Sequence, residues 1–504
     1  MKDLSHFYPR YGLALLMSEK NIQNIEDIKA ADFIDLILSG LEKFRLKPTS
    51  ENFESIDVTY EYKPIKKGIP EKGIFLAPHI ITSDKSAQDL YIEIEGIIKE
   101  IPKINDLKKK ESLKKSFAPT AGEYNNGAAS RKNASVTLLE YLCCALTTIS
   151  TKKPSYAQIT IKDNKPSYCN TTIIPDLPLD DLRKFIRVFE TILKTKTPNL
   201  LIGKTSGKEG KKKPSRPKIF RGNFPNAPIS NSLCSLALLG AIGEWAKETE
   251  ETESAIETLN LLQDCQIYIV NNEGTKIVGY NHFVVELARE NSLKSVIDSI
   301  YRIVPLNKSS KIDFKEIERQ RLEREKIAFF AARFMQLFDA TSFKEFLAIR
   351  AEYPYQLEIL FKTYFMDAKK IDADIIKSAR QLGAWLNSIA YFIAKEETLK
   401  QPAKLYEIKA KILVELESSA FSAKTGTALI SQTIVRAGRL SKSDAPNEAT
   451  LFMEKTMSGE LDLKDAQQML MAFSRLRIKT ETKENLVTPL EQSILVEEDF
   501  SDAQ

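Results

Sequence analysis

The sequence has few of the residues from which most metal and acid–base sites are built. Its 504 residues include only three histidines, at positions 6, 79 and 282. None of the three lies within a short metal-ligand spacing of another histidine or of a cysteine. Zinc fingers, zinc deaminases and HD-type phosphohydrolases all need a denser set of ligands. We therefore predict no metal, no other cofactor and no catalytic residue, although an enzyme with widely dispersed acidic residues stays an alternative.

Nucleotide-binding and hydrolase motifs are also missing. The sequence contains no GxxxxGK[ST] loop, no GxGxxG following a strand and no GxSxG elbow. The stretch GKTSGKEG at 203–210 contains glycine and lysine, but neither the spacing nor the strand–loop–helix setting of a phosphate-binding loop. These absences argue against a P-loop NTPase, a dinucleotide-binding enzyme and an α/β-hydrolase.

The five cysteines form no CxxC pair and lie mostly in apolar surroundings. This usage is typical of reduced, buried thiols in a cytosolic protein. No run approaches the roughly 20 apolar residues of a membrane helix, and no signal peptide is evident at the N-terminus. We therefore expect a cytoplasmic protein with no membrane partner. The cysteines are Cys143, Cys144, Cys169, Cys234 and Cys265.

Positive charge is concentrated in residues 204–222, KTSGKEGKKKPSRPKIFRG. Eight Lys or Arg against one Glu give this stretch a net charge of +7, whereas the whole chain carries +5. Glycine, serine and proline interrupt it, and no apolar residue occurs before Ile219, so its composition predicts a mobile loop. A flexible cationic loop would attract a phosphate backbone; a solvated linker is the alternative. The basic residues are Lys204, Lys208, Lys211, Lys212, Lys213, Arg216, Lys218 and Arg221.

Two further segments combine basic residues with small or polar ones. Residues 103–115 carry six lysines, which either a solvated helix face or nucleic-acid binding would explain. Residues 117–135, FAPTAGEYNNGAASRKNAS, are rich in glycine, alanine, serine and asparagine. Small residues allow close approach to phosphates, and asparagine can read a groove edge. The alternative for 117–135 is a plain connection with a turn at Asn126-Gly127.

Hydrophobic periodicity predicts an α+β fold in which an irregular, mixed α/β N-terminal body precedes an all-α helical bundle. Strands are predicted at 56–63, 156–162 and 168–174, with a hairpin around NNEG at 266–280. Helices lie between these strands without regular βα alternation, which argues against a doubly wound fold. We assign residues 1–313 to this body.

Residues 314–490 show only helical patterns, separated by short breaks, and predict a bundle of six to eight helices. The last helix is predicted to begin at Asp462. The apolar stripes of these helices are expected to form the core. Residues 491–504 form an acidic tail that is predicted to be disordered.

This layout resembles the large subunit of type I CRISPR interference complexes (Cascade). The resemblance covers the whole chain, and its nearest local matches are RGNFPNAPISNSLCSLALLGAIGEW at 221–245 and the bundle that begins near KIAFFAARFMQLFDATSF. In that family the subunit cuts nothing. Its N-terminal body recognises the protospacer-adjacent motif in duplex DNA and helps open it into an R-loop. Its C-terminal bundle resembles the small subunit, and in some subtypes it is also made from an internal start, for which Met335 and Met366 are candidates. The alternative for both residues is that a methionine in an apolar stripe lies in the core.

The resemblance implies an RNA-guided complex, for antiviral defence or, as the alternative, for transposon targeting, and it suggests a division of labour between the basic segments. The expected partners are guide RNA, target double-stranded DNA, the other Cascade subunits (backbone, handle-binding and small) and a helicase–nuclease recruited for cleavage. From loop chemistry we predict DNA-motif contact by Asn125, Asn126, Arg131, Lys132 and Asn133. Backbone contact is predicted for Lys208, Lys211, Lys212, Lys213, Arg216 and Arg221.

Two other functions stay open on the sequence. One is a structural RNA-binding subunit of another ribonucleoprotein, which would use the same basic loops without duplex DNA. The other is a magnesium-dependent nuclease whose acidic residues are dispersed.

Overall fold

Helices and antiparallel strands alternate irregularly in the N-terminal part of the chain, and helices alone follow in the described residues from 353 onward. The computed structural model describes residues 4–49, 56–63, 75–76, 87–113, 134–162, 165–206, 213–224, 227, 231–271, 274–280, 282–290, 292–294, 296–297, 331, 353–398, 405–441 and 443–477.

These residues divide into two compact units. The first contains the described residues up to 297, and the second contains those from 331 to 477. The predicted boundary at residue 313 and the predicted acidic tail both lie outside the described residues, so they stay predictions.

The described strands of the first unit are β1 (Arg45–Pro48), β2 (Asp57–Lys63), β3 (Phe75–Leu76), β4 (Lys110–Ser112), β5 (Ser135–Thr137), β6 (Ser155–Lys162), β7 (Lys165–Pro175), β8 (Ile202–Ser206), β9 (Lys213–Pro214), β10 (Ile267–Asn271) and β11 (Gly274–Val278). They form three antiparallel sheets, with the strand orders β3-β1-β2-β8-β9, β11-β10-β7-β6 and β4-β5.

Helices and strands both contribute buried residues to the core of this unit. Its described helices are α1 (Phe7–Glu19), α2 (Ile34–Glu42), α3 (Ala87–Glu100), α4 (Leu138–Ile149), α5 (Leu179–Leu200), α6 (Asn231–Thr249), α7 (Thr252–Gln263) and α8 (His282–Arg289). Helix α1 is apolar around most of its circumference, so it is buried between α4 and α5. The hydroxyls of Tyr8 and Thr148 lie 3.0 Å apart and form a hydrogen bond inside this core.

The predicted strands agree with the structure to within a few residues: 56–63 corresponds to β2, 156–162 to β6, 168–174 to β7, and 266–280 to the β10–β11 hairpin. Strand β1 was not predicted. It is only four residues long and contains two cationic residues, so it shows no apolar alternation. It forms because it pairs with β2 on one side and β3 on the other.

The second unit is a helical bundle around one long central helix. Its helices are α9 (Glu358–Thr363), α10 (Ala373–Glu397), α11 (Leu405–Ser422), α12 (Gly426–Ser441), α13 (Thr450–Met457) and α14 (Leu463–Ser474). Helix α10 packs against α11, α12, α13 and α14. The predicted start of the last helix is confirmed, because the carboxylate of Asp462 caps α14 by accepting from the backbone of Lys464 and Asp465. The predicted fold class is likewise confirmed.

Candidate nucleic-acid interface

The structure describes only part of the predicted interface. All five residues predicted to contact the DNA motif (125, 126, 131, 132 and 133) lie outside the described residues, as do Lys208, Lys211 and Lys212. Their assignments stay predictions. Lys213, Arg216 and Arg221 are described, and they lie on one segment of residues 213–224, which we call the linking segment.

The basic stretch begins and resumes on paired strands. In the five-stranded sheet Lys204 of β8 lies opposite Asp57 of β2, and the two side chains form an ion pair at 2.5 Å. On the other side of β8, Ser206 pairs with Lys213 at the start of the linking segment. Residues 207–212 join these two strands and lie outside the described residues. Lys204 is therefore held by a carboxylate, whereas Lys213 is exposed.

Ser215 fastens the linking segment to β8. Its hydroxyl donates to the carbonyl of Lys204 at 2.7 Å and accepts from the same residue's amide at 2.9 Å. The carbonyl of Ser215 accepts from the hydroxyl of Tyr60 at 2.7 Å. Four residues further on, Ile219 is buried in an apolar cluster with Leu46, Val58, Tyr60 and Leu200.

The prediction of a mobile loop over 204–222 is therefore wrong for its described residues, 204–206 and 213–222. The reason is that tertiary contacts hold these residues in place. A window rich in Lys, Gly and Pro has too few apolar residues to suggest a core, yet a single isoleucine and a buried serine anchor it to a sheet formed by distant residues.

The linking segment contains four cations and no acidic residue. The guanidinium of Arg216 stacks over the ring of Phe220, 4.4 Å from its centroid, which holds Arg216 against the protein. Lys218 is exposed and Arg221 half-buried. Lys213, Lys218 and Arg221 make no ion pair with any described residue. These three cations lie on an anchored backbone and have no carboxylate partner among the described residues. Phosphates can therefore bind to them.

Sequence reasoning missed two residues of this region. Lys218 was counted in the charge of the stretch but was not assigned to binding; its place at the start of a short 3₁₀ helix, Lys218–Phe220, keeps it exposed beside the buried Ile219. Asn223 was not singled out at all, although it is 2% exposed. The only signal for it was its position in the RGNF stretch at 221–224.

The second basic segment does not form a helix face over its described residues. Lys103 ends a 3₁₀ turn and pairs with Glu100 at 2.8 Å. Lys110 lies in β4, opposite Thr137 of β5. The helix-face interpretation is thus wrong for residues 103–113, because a short strand pair forms there. The lysines at 108, 109 and 110 are exposed, so nucleic-acid binding by this segment stays a prediction.

Two adjacent cysteines lie in the core of the first unit. Cys143 and Cys144 are fully buried on α4, and burial, followed by the nearby Cys144 and Glu140, raises the pKa of the Cys143 thiol well above its ordinary value. A protonated, inaccessible thiol is a poor nucleophile. The pair therefore contributes packing, in agreement with the prediction.

The hydropathy of the described helices and a match to one protein family both bear on what this chain is. Across the described ranges, no helix combines the length and apolar character that crossing a membrane requires. No curated protein and no solved structure matches the sequence significantly. The family described as CRISPR-associated protein Csp2 matches residues 6–477, nearly the whole chain and including the entire linking segment. The chain therefore belongs to the Csp2 family of type I CRISPR (Cascade) subunits, whose partners are guide RNA and other Cascade components.

Proposed function

We propose that this chain is the non-catalytic large subunit of a cytoplasmic, RNA-guided DNA surveillance complex, in which it recognises the protospacer-adjacent motif and helps open target DNA. The observation that carries this proposal is a set of three cations on the linking segment, Lys213, Lys218 and Arg221, that have no carboxylate partner among the described residues, in a member of a Cascade subunit family. Cleavage would be left to a recruited helicase–nuclease.

Electrostatics supports a backbone-binding role for the linking segment. Its exposed lysines are point charges that neutralise phosphates without reading sequence. Residues 207–212 add three more lysines against one glutamate directly before it. Motif reading would then need a different segment, for which residues 125–133 supply groove-compatible asparagines and an Arg-Lys pair. Base pairing with the guide would read the rest of the target.

The helical unit has a groove suited to a second nucleic-acid contact. It lies between α11 and α12 and has a volume of about 560 Å³. An ion pair between Arg436 and Glu415 (2.7 Å) lies in its lining, and Arg439 is exposed beside it. We assign to this groove the displaced DNA strand, as expected for a small-subunit-like bundle. The lining residues are Glu415, Ser418, Ser422, Gln432, Val435, Arg436, Arg439 and Leu440.

The test compares duplexes with and without the motif, using the assembled complex. Asn125→Ala and Asn126→Ala should abolish the preference for the motif while leaving motif-less binding unchanged. Changing Lys211, Lys212 and Lys213 together to Ala should weaken both duplexes alike, and the log–log salt slope should shrink by about 0.9 for each phosphate that is no longer neutralised. An unchanged slope would show that these lysines only link two strands.

Two measurements decide between this function and its alternatives. A large subunit should copurify with guide RNA and a stack of backbone subunits, whereas a subunit of another ribonucleoprotein should not bind the motif duplex. Magnesium-dependent cleavage by the isolated chain would favour the nuclease and contradict the proposal.

A further inference from the structure

The linking segment joins two different sheets. At its N-terminal end Lys213 and Pro214 pair with β8 of the five-stranded sheet. At its C-terminal end the chain pairs with β6, the edge strand of the four-stranded sheet. There Gly222 bridges Tyr156, and the amide of Ala157 donates to the carbonyl of Arg221 at 3.2 Å. The backbone that carries Arg216, Lys218 and Arg221 is therefore held at both ends.

Asn223 makes the second of these attachments. Its side-chain oxygen accepts from the amide of Ser155 at 2.9 Å, and its amide nitrogen donates to the carbonyls of Thr151 and Lys153 at 3.0 and 2.7 Å. Its backbone amide donates to the carbonyl of Ser155 at 2.9 Å. One buried residue thus completes four hydrogen bonds with residues 151–155.

The residues that Asn223 binds are themselves immobilised. Lys153 is fully buried, and its ammonium donates to the carbonyls of Thr148 and Ser150 at the end of α4, at 2.8 and 3.0 Å. Asn223 consequently connects the linking segment to the buried end of α4, rather than to another surface loop.

Neighbouring small residues allow this close contact. A Cβ added to Gly222 would lie 2.4 Å from the Cβ of Ala227 and 3.1 Å from the carbonyl of Ser155. Any larger residue at 222 would therefore push Arg221 and Asn223 away from β6.

We propose that Asn223 is a positioning residue for phosphate binding: it holds Lys218 and Arg221 in a bound-like arrangement before the nucleic acid arrives. This inference rests on the proposed function. Its physical basis is preorganisation, because ordering each long side chain and its backbone during binding reduces affinity. The ligand chemistry is a row of backbone phosphates, and either target duplex DNA or guide RNA could supply it.

The experiment separates the number of phosphate contacts from the cost of ordering the cations. Binding of the full-length chain to a labelled DNA duplex, and in a second arm to the guide RNA, is measured over a series of salt concentrations. Asn223→Ala keeps every charge, so the log–log slope should stay at the wild-type value while affinity falls about tenfold at each salt concentration. If affinity falls for the duplex, target DNA supplies the phosphates. If affinity falls for the guide RNA, the guide supplies them.

A matched control separates a loss of affinity caused by lower stability from one caused by lost positioning of the cations. Asn387 is an equally buried asparagine in the helical unit, where it donates to the carbonyl of Ser474 at 2.7 Å. Asn387→Ala also removes buried hydrogen bonds but should bind both nucleic acids as the wild type does. Equal binding by Asn223→Ala and the wild type, or equally weakened binding by both variants, would overturn the inference.

Two other variants complete the design. Lys213, Lys218 and Arg221 changed together to Ala should shrink the slope by up to about 2.7, at 0.9 for each neutralised phosphate. An unchanged slope there refutes phosphate binding by the segment, and thus its role in the proposed function, independently of Asn223. If Asn223→Ala does not fold, Gly222→Ala loosens the same attachment without removing a hydrogen-bonding side chain. It should lower affinity at constant slope, and wild-type affinity would overturn the inference.

Discussion

Arg475 and Glu417 form a buried ion pair at the C-terminal end of the helical unit. The two side chains are 6% and 4% exposed, and the Nε of Arg475 donates to both carboxylate oxygens, at 2.9 and 3.1 Å. The hydroxyl of Ser474 donates to the same carboxylate at 3.0 Å. Burial alone would lower the pKa of Arg475, but its hydrogen bonds and charge interaction with Glu417 raise it.

Breaking this pair should destabilise the helical unit strongly. Glu417→Ala leaves a buried guanidinium without its carboxylate, which costs about 3–5 kcal/mol of the free energy of unfolding. The chain has two tryptophans, one in each unit. In a Trp245→Phe background, the fluorescence of Trp385 during urea denaturation therefore reports on the helical unit alone.

The exposed pair Arg436–Glu415 is the matched control. Its N–O distance is 2.7 Å, but its side chains are 36% and 59% exposed, so Glu415→Ala should change the free energy of unfolding by no more than about 1 kcal/mol. Equal effects of the two substitutions would mean that the buried pair contributes no more than a surface pair.

The helical unit should fold from a start at Met335 but not from one at Met366. The amide of Tyr353 donates to the carbonyl of Arg475 at 2.8 Å, and the amide of Arg477 donates to the carbonyl of Tyr353 at 3.0 Å. These bonds join the two ends of the unit. A chain that starts at Met366 also lacks the buried residues Leu357, Leu360 and Phe361.

Circular dichroism and thermal unfolding of the fragments 335–477 and 366–477 test this expectation. The longer fragment should unfold cooperatively, and the shorter one should show helical content without a cooperative transition. Met366 itself is 43% exposed, contrary to the expectation that a methionine in an apolar stripe lies in the core. Met366→Leu in the longer fragment should therefore leave its transition unchanged. A cooperative transition of the shorter fragment would exclude an essential role for Tyr353.

The sequence predicts those parts of the fold that depend on local pattern. Alternation identified β2, the long β6–β7 pair and the β10–β11 hairpin, and a capping carboxylate identified the start of α14. It does not predict contacts between distant segments. Nothing in the composition of 204–222 shows that Ile219 packs against Leu46 and Val58, or that Ser215 meets Tyr60.

For the candidate site, too, the sequence predicts local features but does not predict contacts between distant residues. Charge counting found the basic stretch that contains Lys213, Arg216 and Arg221, because net charge is a property of the sequence itself; their binding role stays a prediction. It could not distinguish Lys204, whose partner Asp57 lies 147 positions away, from Lys218, which has no described carboxylate partner. Asn223 was missed because its role comes from hydrogen bonds to four backbone carbonyl and amide groups of residues 151–155, which no side-chain pattern reveals.

The acid stability of the helical unit should depend on Glu358. Its carboxylate pairs with Lys362 at 2.7 Å and with Arg380 at 3.0 Å. Burial raises the pKa of Glu358, but these two partners outweigh it and lower the pKa below its ordinary value. Because the pKa is lower in the folded state, the contribution of Glu358 is fully present above the unfolded pKa and is lost as pH falls through the folded value.

Comparing the wild type with Glu358→Gln at a series of pH values checks this dependence. The difference in free energy of unfolding should be constant above about pH 5 and should shrink below the ordinary glutamate pKa. Glu454→Gln, at an exposed carboxylate with no ion pair among the described residues, is the matched control and should leave the pH profile unchanged. A difference for Glu358→Gln that grows on acidification would contradict the assigned direction.

Two glycines within helices should respond in opposite ways to alanine. A Cβ added at Gly12 of α1 would lie 2.1 Å from the carbonyl oxygen of Cys143 on α4. Separating these helices should cost about 1–3 kcal/mol, more than the roughly 1 kcal/mol gained in helix propensity. Apart from the neighbouring backbone of α3 itself, no atom of the described residues lies within 4 Å of a Cβ added at Gly96, so Gly96→Ala should stabilise by about 0.5–1 kcal/mol. In a Trp385→Phe background, the fluorescence of Trp245 during urea denaturation measures both changes. Stabilisation by Gly12→Ala would mean that α1 and α4 can separate without cost.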